Sequence, residues 1–188
     1  MPNWASCSYA VTGEMNEVQS LYDRMKRLQE MNEPLKPNGF GTTWLGNLVE
    51  DFGIEYGKIS CRGSWDNLML EDDVLTFTTE SAWDRCHEVE DLIIEKYPSL
   101  SIAFRVEESG MAIYQKNDCH FFPEEYLIDI EDDDVYYCTE EQALQKLSDF
   151  FGIDFKDVSE AMILVKEHND KEGNDDDQIY VHKFELVD

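Results

Sequence analysis

Val74-Leu75-Thr76-Phe77-Thr78-Thr79, then Ser81-Ala82-Trp83-Asp84, then Cys86, Val89, Leu92, Ile93 and Tyr97 ahead of Pro98: this run decides the fold. The first six residues are β-branched or apolar and suit a pleated, half-buried strand. Ser81 and Asp84 stand at capping-box spacing, with Asp shorter than the usual Glu or Gln, so a helix is expected to begin there. Its apolar residues recur at spacings of three and four, which makes one packed stripe and one wet face. Pro98 ends it, having no amide to donate and disfavouring helical geometry at Tyr97. Leu100 to Val106 then alternates with period two, and Ser109-Gly110 turns the chain back through Met111-Ala112-Ile113-Tyr114 as a hairpin.

Upstream, Ala5-Ser6-Cys7-Ser8-Tyr9-Ala10-Val11-Thr12 alternates as a strand closed by Gly13. Val18, Leu21, Tyr22, Met25 and Leu28 predict a helix from Glu14 to about Met31. Arg24, Lys26 and Arg27 complement the negative end of that helix. After a loop broken by Pro34, Pro37, Gly39 and Gly41, Thr42 or Thr43 is expected to cap a short helix through Phe52. Gly39 to Thr43 lacks the lysine and spacing of a P-loop. Residues 58–63 read as a strand, followed by Trp65 and Leu68-Met69-Leu70. The expected order is β, α, short α, β, β, α, β, β. Without the inserted helix and the last strand it is the split βαβ order of a ferredoxin-like βαββαβ sandwich, an α+β class.

A resemblance rests on Met1-Pro2-Asn3-Trp4, Gly63-Ser64-Trp65-Asp66, Phe77-Thr78-Thr79-Glu80-Ser81-Ala82-Trp83, Tyr97-Pro98-Ser99-Leu100 and Glu107-Glu108-Ser109-Gly110. In their order and spacing these resemble the YubB-type ferredoxin-like family of phage and plasmid proteins, over residues 1 to about 115. The sequence departs from that pattern at Ala5, where a cysteine is usual, and at Asp84-Arg85, where prolines are usual. Residues 33–57 look inserted. The resemblance implies a ferredoxin-like fold and a mobile-element setting; it carries over no catalytic residues.

Lys116 to Phe122 leads to a second unit, so two regions are expected: 1–115, ferredoxin-like, and 116–188, an acidic α+β C-terminal extension. In the second, Tyr126 to Ile130 and Val135 to Cys138 read as strands flanking Glu131-Asp132-Asp133-Asp134. Thr139 and Gln142 form a capping box for a helix to Phe151, which Gly152 ends. Ala161-Met162-Ile163-Leu164-Val165 fits a helix or a strand. Asn169 to Asp177 reads as a polar loop and Ile179 to Val187 as a last strand.

Charge is the compositional extreme: 42 acids against 15 bases, a net of −27. Up to Gln115 there are 20 acids and 9 bases, net −11; from Lys116 there are 22 and 6, net −16. A field of this sign repels nucleic-acid phosphate and anionic lipid and attracts basic protein surfaces. It equally serves solubility. No apolar run approaches the ~20 residues of a membrane span, and the amino terminus has no signal-peptide pattern, so a cytoplasmic protein is expected. The five cysteines are odd in number and widely spaced, which favours reduced thiols.

Cys86-His87 and Cys119-His120 lack zinc-ligand spacing. Neither Asp132 to Asp134 nor Asp175 to Asp177 has the alternating ligands of an EF-hand. No metal and no cofactor is expected. No nucleophile elbow, metalloprotease helix or dinucleotide fingerprint occurs, so no catalytic residue is assigned. Trp4, Trp44, Trp65 and Trp83 are expected mainly as core anchors. Trp83, at the edge of the helical stripe, is the one singled out for a binding surface, together with Asp132, Asp133 and Asp134. The leading expectation is a non-enzymatic protein-binding module of mobile-element origin, with a basic protein surface as partner. The alternatives are a DNA mimic that inhibits a DNA-binding protein, and a small hydrolase using paired carboxylates.

Overall fold

The computed structural model describes residues 3–130, 135–171 and 178–188. The acidic run of Asp132, Asp133 and Asp134 lies outside the described residues. The protein is a mixed α+β fold. The chain divides into two units, one of residues 1–121 with Val187 and Asp188, the other of residues 122–186. The division falls after residue 121, six residues beyond the boundary expected after residue 115.

In the first unit the elements are β1 (Trp4–Thr12), α1 (Met15–Gln29), α2 (Leu45–Asp51), β2 (Gly63–Glu71), β3 (Val74–Ala82), α3 (His87–Lys96), β4 (Ser101–Glu108) and β5 (Ile113–Lys116). Short 3₁₀ turns occupy Gly41–Thr43 and Tyr56–Lys58. The strands lie in the order β2-β3-β1-β4-β5. Each neighbouring pair in that series is antiparallel. The C-terminal Val187 amide donates to the Lys116 carbonyl at 2.9 Å.

Strand alternation sets the two faces. Ala5, Cys7, Tyr9 and Val11 of β1 and Leu75 and Phe77 of β3 enter the core with Val18, Leu21, Met25 and Leu28 of α1. Leu45, Leu48 and Val49 of α2 and Val89, Leu92 and Ile93 of α3 complete that core. The opposite face carries Ser6, Ser8, Thr76, Thr78 and Glu80, none of them buried. Glycine is required where backbones close up. At Gly63 an added Cβ would stand 2.6 Å from the Glu80 carbonyl oxygen. At Gly13, with φ +153°, it would stand 2.6 Å from the Ser99 carbonyl oxygen.

In the second unit, β6 (Tyr126–Asp129), β7 (Val135–Cys138) and β8 (Tyr180–Lys183) form an antiparallel sheet in the order β7-β6-β8. Helices α4 (Glu140–Phe151) and α5 (Val158–Asn169) pack Ala143, Leu147, Ala161 and Val165 against Tyr126 and Ile128. A two-residue strand, β9, spans Glu185–Leu186. Thr139 caps α4 in a full capping box with Gln142, and Gly152 closes it in the left-handed region at φ +67°. The ambiguous run at 161–165 lies in helix α5, which Asp157 caps by accepting from the Glu160 amide at 2.9 Å.

Several sequence expectations need correction. Ser81 does not cap a helix. Strand β3 continues to Ala82, and α3 begins at His87 after Cys86, which makes no side-chain cap. The physical reason is competition: Ser81 pairs with Ala5 on one side and Gly63 on the other, and its fully buried hydroxyl lies 3.8 Å from Cys7 Sγ. A two-sided ladder outweighs one cap bond. Residues 58–62 are not a strand; β2 starts only at Gly63, where the backbone can approach β3 closely enough to pair. Thr42 and Thr43 lie in the 3₁₀ turn, and α2 has Trp44 before it with no side-chain cap. The expected last strand is interrupted at Phe184, which is buried and donates its amide to the Glu125 carbonyl. Among the described residues no helix is long and apolar enough to cross a membrane.

All four tryptophans lie in the first unit, so their fluorescence reports its unfolding. Gly13→Ala should lower that unit's stability by more than about 1 kcal/mol in a urea titration, because the new methyl meets backbone in a conformation L-residues avoid.

Candidate functional site

Of the four tryptophans expected as core anchors, Trp44 and Trp65 are buried, but Trp4 and Trp83 are 43% and 48% exposed. The sheet brings those two to one end. Trp4 pairs with Ala82 across β1 and β3, and Trp83 is the next residue. Trp83 sits outside α3, not on its stripe, and its backbone lies at φ +74°. A bulky side chain rarely adopts that left-handed geometry, and such strain gathers at functional positions. The geometry is held by the Trp83 amide donating to the Asn3 carbonyl at 2.9 Å.

The surroundings of Trp4 show what the corner accepts. The Arg62 guanidinium lies 5.9 Å from the Trp4 ring centre, in cation–π range. Phe40 meets the same ring edge-on at 6.0 Å. Exposed Glu80 and Asp84 add negative charge on either side of the Ser81–Trp83 segment.

Two residues beyond Trp83, Arg85 pins the segment to the body of the unit. Its guanidinium is 4.0 Å from the Phe104 ring centre on β4 and pairs with the Glu90 carboxylate of α3. Glu90 accepts in turn from the Tyr9 hydroxyl of β1 at 2.9 Å. Tyr9 stacks on Phe77 at 4.7 Å between ring centres. Thr79 and the thiols of Cys7 and Cys86 are buried on the same helix-facing side.

Burial dominates the proton affinities here. It pushes Cys7 up to about 11 and Cys86 up to about 12. Cys61, buried near Glu88 and Glu50, rises to about 11. Tyr9 is raised well above the usual phenol value, by burial first and then by Cys7 and Glu90. Burial also raises Glu90, although Arg85 and the Tyr9 hydroxyl pull the other way. The carboxylate is therefore tied to a guanidinium and a phenol.

Of the residues singled out from sequence, Trp83 is at this corner, while Asp132, Asp133 and Asp134 fall outside the described residues. Cys86 is buried just before α3, His87 is its first residue, and Cys119 is exposed. Among the described residues no group of three or more His, Cys, Asp or Glu side chains is arranged to hold a metal ion. Sequence reasoning missed Trp4, Arg85, Tyr9 and Glu90. A signal for Trp4 was present: alternation puts it on the face of Ser6 and Ser8, away from Ala5, Cys7 and Tyr9. No family model, curated protein or solved structure matches the chain.

Raised thiols stay protonated at neutral pH and react slowly, since the thiolate is the nucleophile. Iodoacetamide at pH 8 should label Cys119 first by mass spectrometry and leave Cys7, Cys61 and Cys86 unlabelled until urea unfolds the chain. Rapid native labelling of Cys86 would contradict this. Folded Glu90 also holds its proton more firmly than unfolded Glu90. Its contribution to stability is therefore highest at low pH and declines as pH rises from the ordinary carboxyl range through the raised folded value. Glu90→Gln should remove that decline from urea midpoints measured between pH 4 and 7; parallel wild-type and variant profiles would count against it.

Proposed function

We propose that this protein is a non-enzymatic binding module that engages a basic segment of another protein through the Trp4–Trp83 corner. The observation that carries the proposal is Trp83, half-exposed and fixed at φ +74°. The Trp83 backbone is fixed by its amide bond to Asn3, so little chain ordering is lost when the exposed ring binds, and tryptophan is the ring that cations favour most. The net charge of −27 steers a basic partner towards the molecule and repels nucleic acid and anionic membrane.

On the fold, our reading is a ferredoxin-like sandwich with an inserted helix. It is supported by the order β2-β3-β1-β4 with α1 and α3 packed on one face. Together with the short motifs from Trp4 to Gly110, this favours a relationship to the YubB-type proteins of phages and plasmids and a cytoplasmic setting. The acidic residues 116–188, including Asp132, Asp133 and Asp134, act in this scheme as a long-range attractor for the same partner.

The proposal is tested by titrating a fluorescent arginine-rich peptide against the full chain over a salt series. At fixed salt, Trp83→Ala should weaken binding roughly tenfold, about 1.4 kcal/mol, while Trp83→Phe should retain part of it. Replacing Asp132, Asp133 and Asp134 together by Asn should flatten the salt dependence and leave the Trp83 effect intact. If Trp83→Ala binds as the wild type does at every salt concentration, the corner is not the contact surface.

A further inference from the structure

At the edge of the first sheet, beside β2, lies an open cavity of about 450 Å³. A bulge accompanies it: the pairing of β2 with β3 shifts register between Asp66 and Met69, and Asn67 stands in the left-handed region at φ +52°. A bulge bends its strand and re-aims the side chains beside it. The lining is mainly polar. Asp66 and Glu80 bring two carboxylates, and Ser64, Thr78, Asn67 and Gln29 bring hydroxyls and amides. Among the described residues no lysine or arginine lines it, and neither carboxylate pairs with a base. Hydrogen bonds set the walls. The buried Trp65 indole donates to Gln29 Oε1 at 3.3 Å. The Asn67 side-chain amide donates to Thr78 Oγ1 at 3.0 Å, and its backbone amide donates to Asp66 Oδ1 at 2.7 Å.

Register ties this cavity to the Trp4–Trp83 corner. Residues paired across strands share a face. Ser64 pairs with Glu80 and Asp66 with Thr78, while Glu80 and Thr78 pair with Ser6 and Ser8. All of them therefore lie on the face of Trp4. Glu80 is two residues from Ala82, the partner of Trp4, a step of about 7 Å along the strand.

We propose that this cavity receives an arginine side chain of the basic segment, two residues along from the residue at the corner. The inference rests on the Trp4–Trp83 reading given above. An extended chain repeats its side chains on one face every two residues, about 7 Å apart, which matches the step from Ala82 to Glu80. The chemistry matches as well. A guanidinium has five donors and no acceptor, and the cavity offers two carboxylates with hydroxyl and amide oxygens around them. Lysine carries the same charge as a single point and uses that array less fully. The two carboxylates repel phosphate, so a nucleic acid is not the occupant.

The test uses the full chain and fluorescent peptides that differ in one place: Arg-Ser-Arg, Arg-Ser-Lys and Arg-Ser-Ala in the same neutral frame. The second arginine should tighten binding to the wild type roughly tenfold over alanine, and lysine should gain less. In Asp66→Asn/Glu80→Gln the arginine gain should disappear. Glu71→Gln/Asp72→Asn removes the same charge at the far end of the β2–β3 hairpin and should keep it. A gain that persists in Asp66→Asn/Glu80→Gln, or that falls equally in both double variants, overturns the proposal; an equal gain from lysine overturns the arginine assignment. The corner is read separately, from Trp83→Ala and the one-arginine peptide. No effect there, with the second-arginine gain still lost in Asp66→Asn/Glu80→Gln, would remove the corner and keep the cavity. In NMR spectra the Trp65 indole and the Gln29 and Asn67 side-chain amides should shift on saturation with Arg-Ser-Arg; unmoved signals count against the cavity.

Discussion

Strand β1 is hydrogen-bonded along both edges, to β3 and to β4, and the residues from Ser6 to Val11 are paired on both sides at once. That double pairing is the constraint on which the first unit depends. Side chains alternate strictly along a strand, so a slip of one residue would turn Cys7, Tyr9 and Val11 outward and Ser6 and Ser8 into the helices. Leu75 and Phe77, and Phe104 and Val106, face the same way because they are registered against β1. The close approach of β2 to β3 at Gly63 then extends the same frame by one more strand.

The frame places polar groups on its apolar side. Cys7, Tyr9, Thr79 and Ser81 occupy inward positions that a purely structural sheet would fill with Val or Ile. Glu90 reaches them from α3, and Arg85 reaches Glu90 from the loop. A buried charge is tolerable only when paired and hydrogen-bonded, and Glu90 has both kinds of partner. Removing Arg85 or Tyr9 singly would therefore cost more than the bond each makes, since the carboxylate would remain buried.

How far this was legible in the sequence depended on whether local or long-range forces decided each element. Helix α4 is a local matter: Thr139, Gln142 and Gly152 supply both caps within the segment, and the structure forms them. The strand at 4–12 and the helix at 15–29 carry clean periodicities and formed where those fall. Ser81 misled because a serine with an acid three residues on has the same local pattern whether its hydroxyl caps a helix or faces a thiol in a sheet. The choice was made by Ala5 and Gly63, far away in sequence. The exposure of Trp4 could have been read from alternation. The backbone of Trp83 could not, because no local signal asks for φ above zero at a tryptophan. The polar partnership of Tyr9, Arg85 and Glu90 joins three separate elements and leaves no periodic trace.

Trp83 is where the local rules and the fold disagree most sharply, and the disagreement has a mechanical origin. Strand β3 must end at Ala82, whose amide donates to the Arg62 carbonyl, while α3 must start low enough for Glu90 to meet Tyr9. Only Trp83 to Cys86 are available to make the turn. Asn3 fixes one side of it through the Trp83 amide, and Arg85, lying over Phe104, fixes the other. Glycine or asparagine would make that turn with less strain. A tryptophan there raises the energy of the folded state without filling the core, since its ring stays half-exposed. Packing gives little reason for a large ring at such a position, and the recognition role proposed above would supply one. The strain is borne by the ladder on one side and by the Arg85–Glu90–Tyr9 chain on the other, which together fix the backbone from which the half-exposed ring projects.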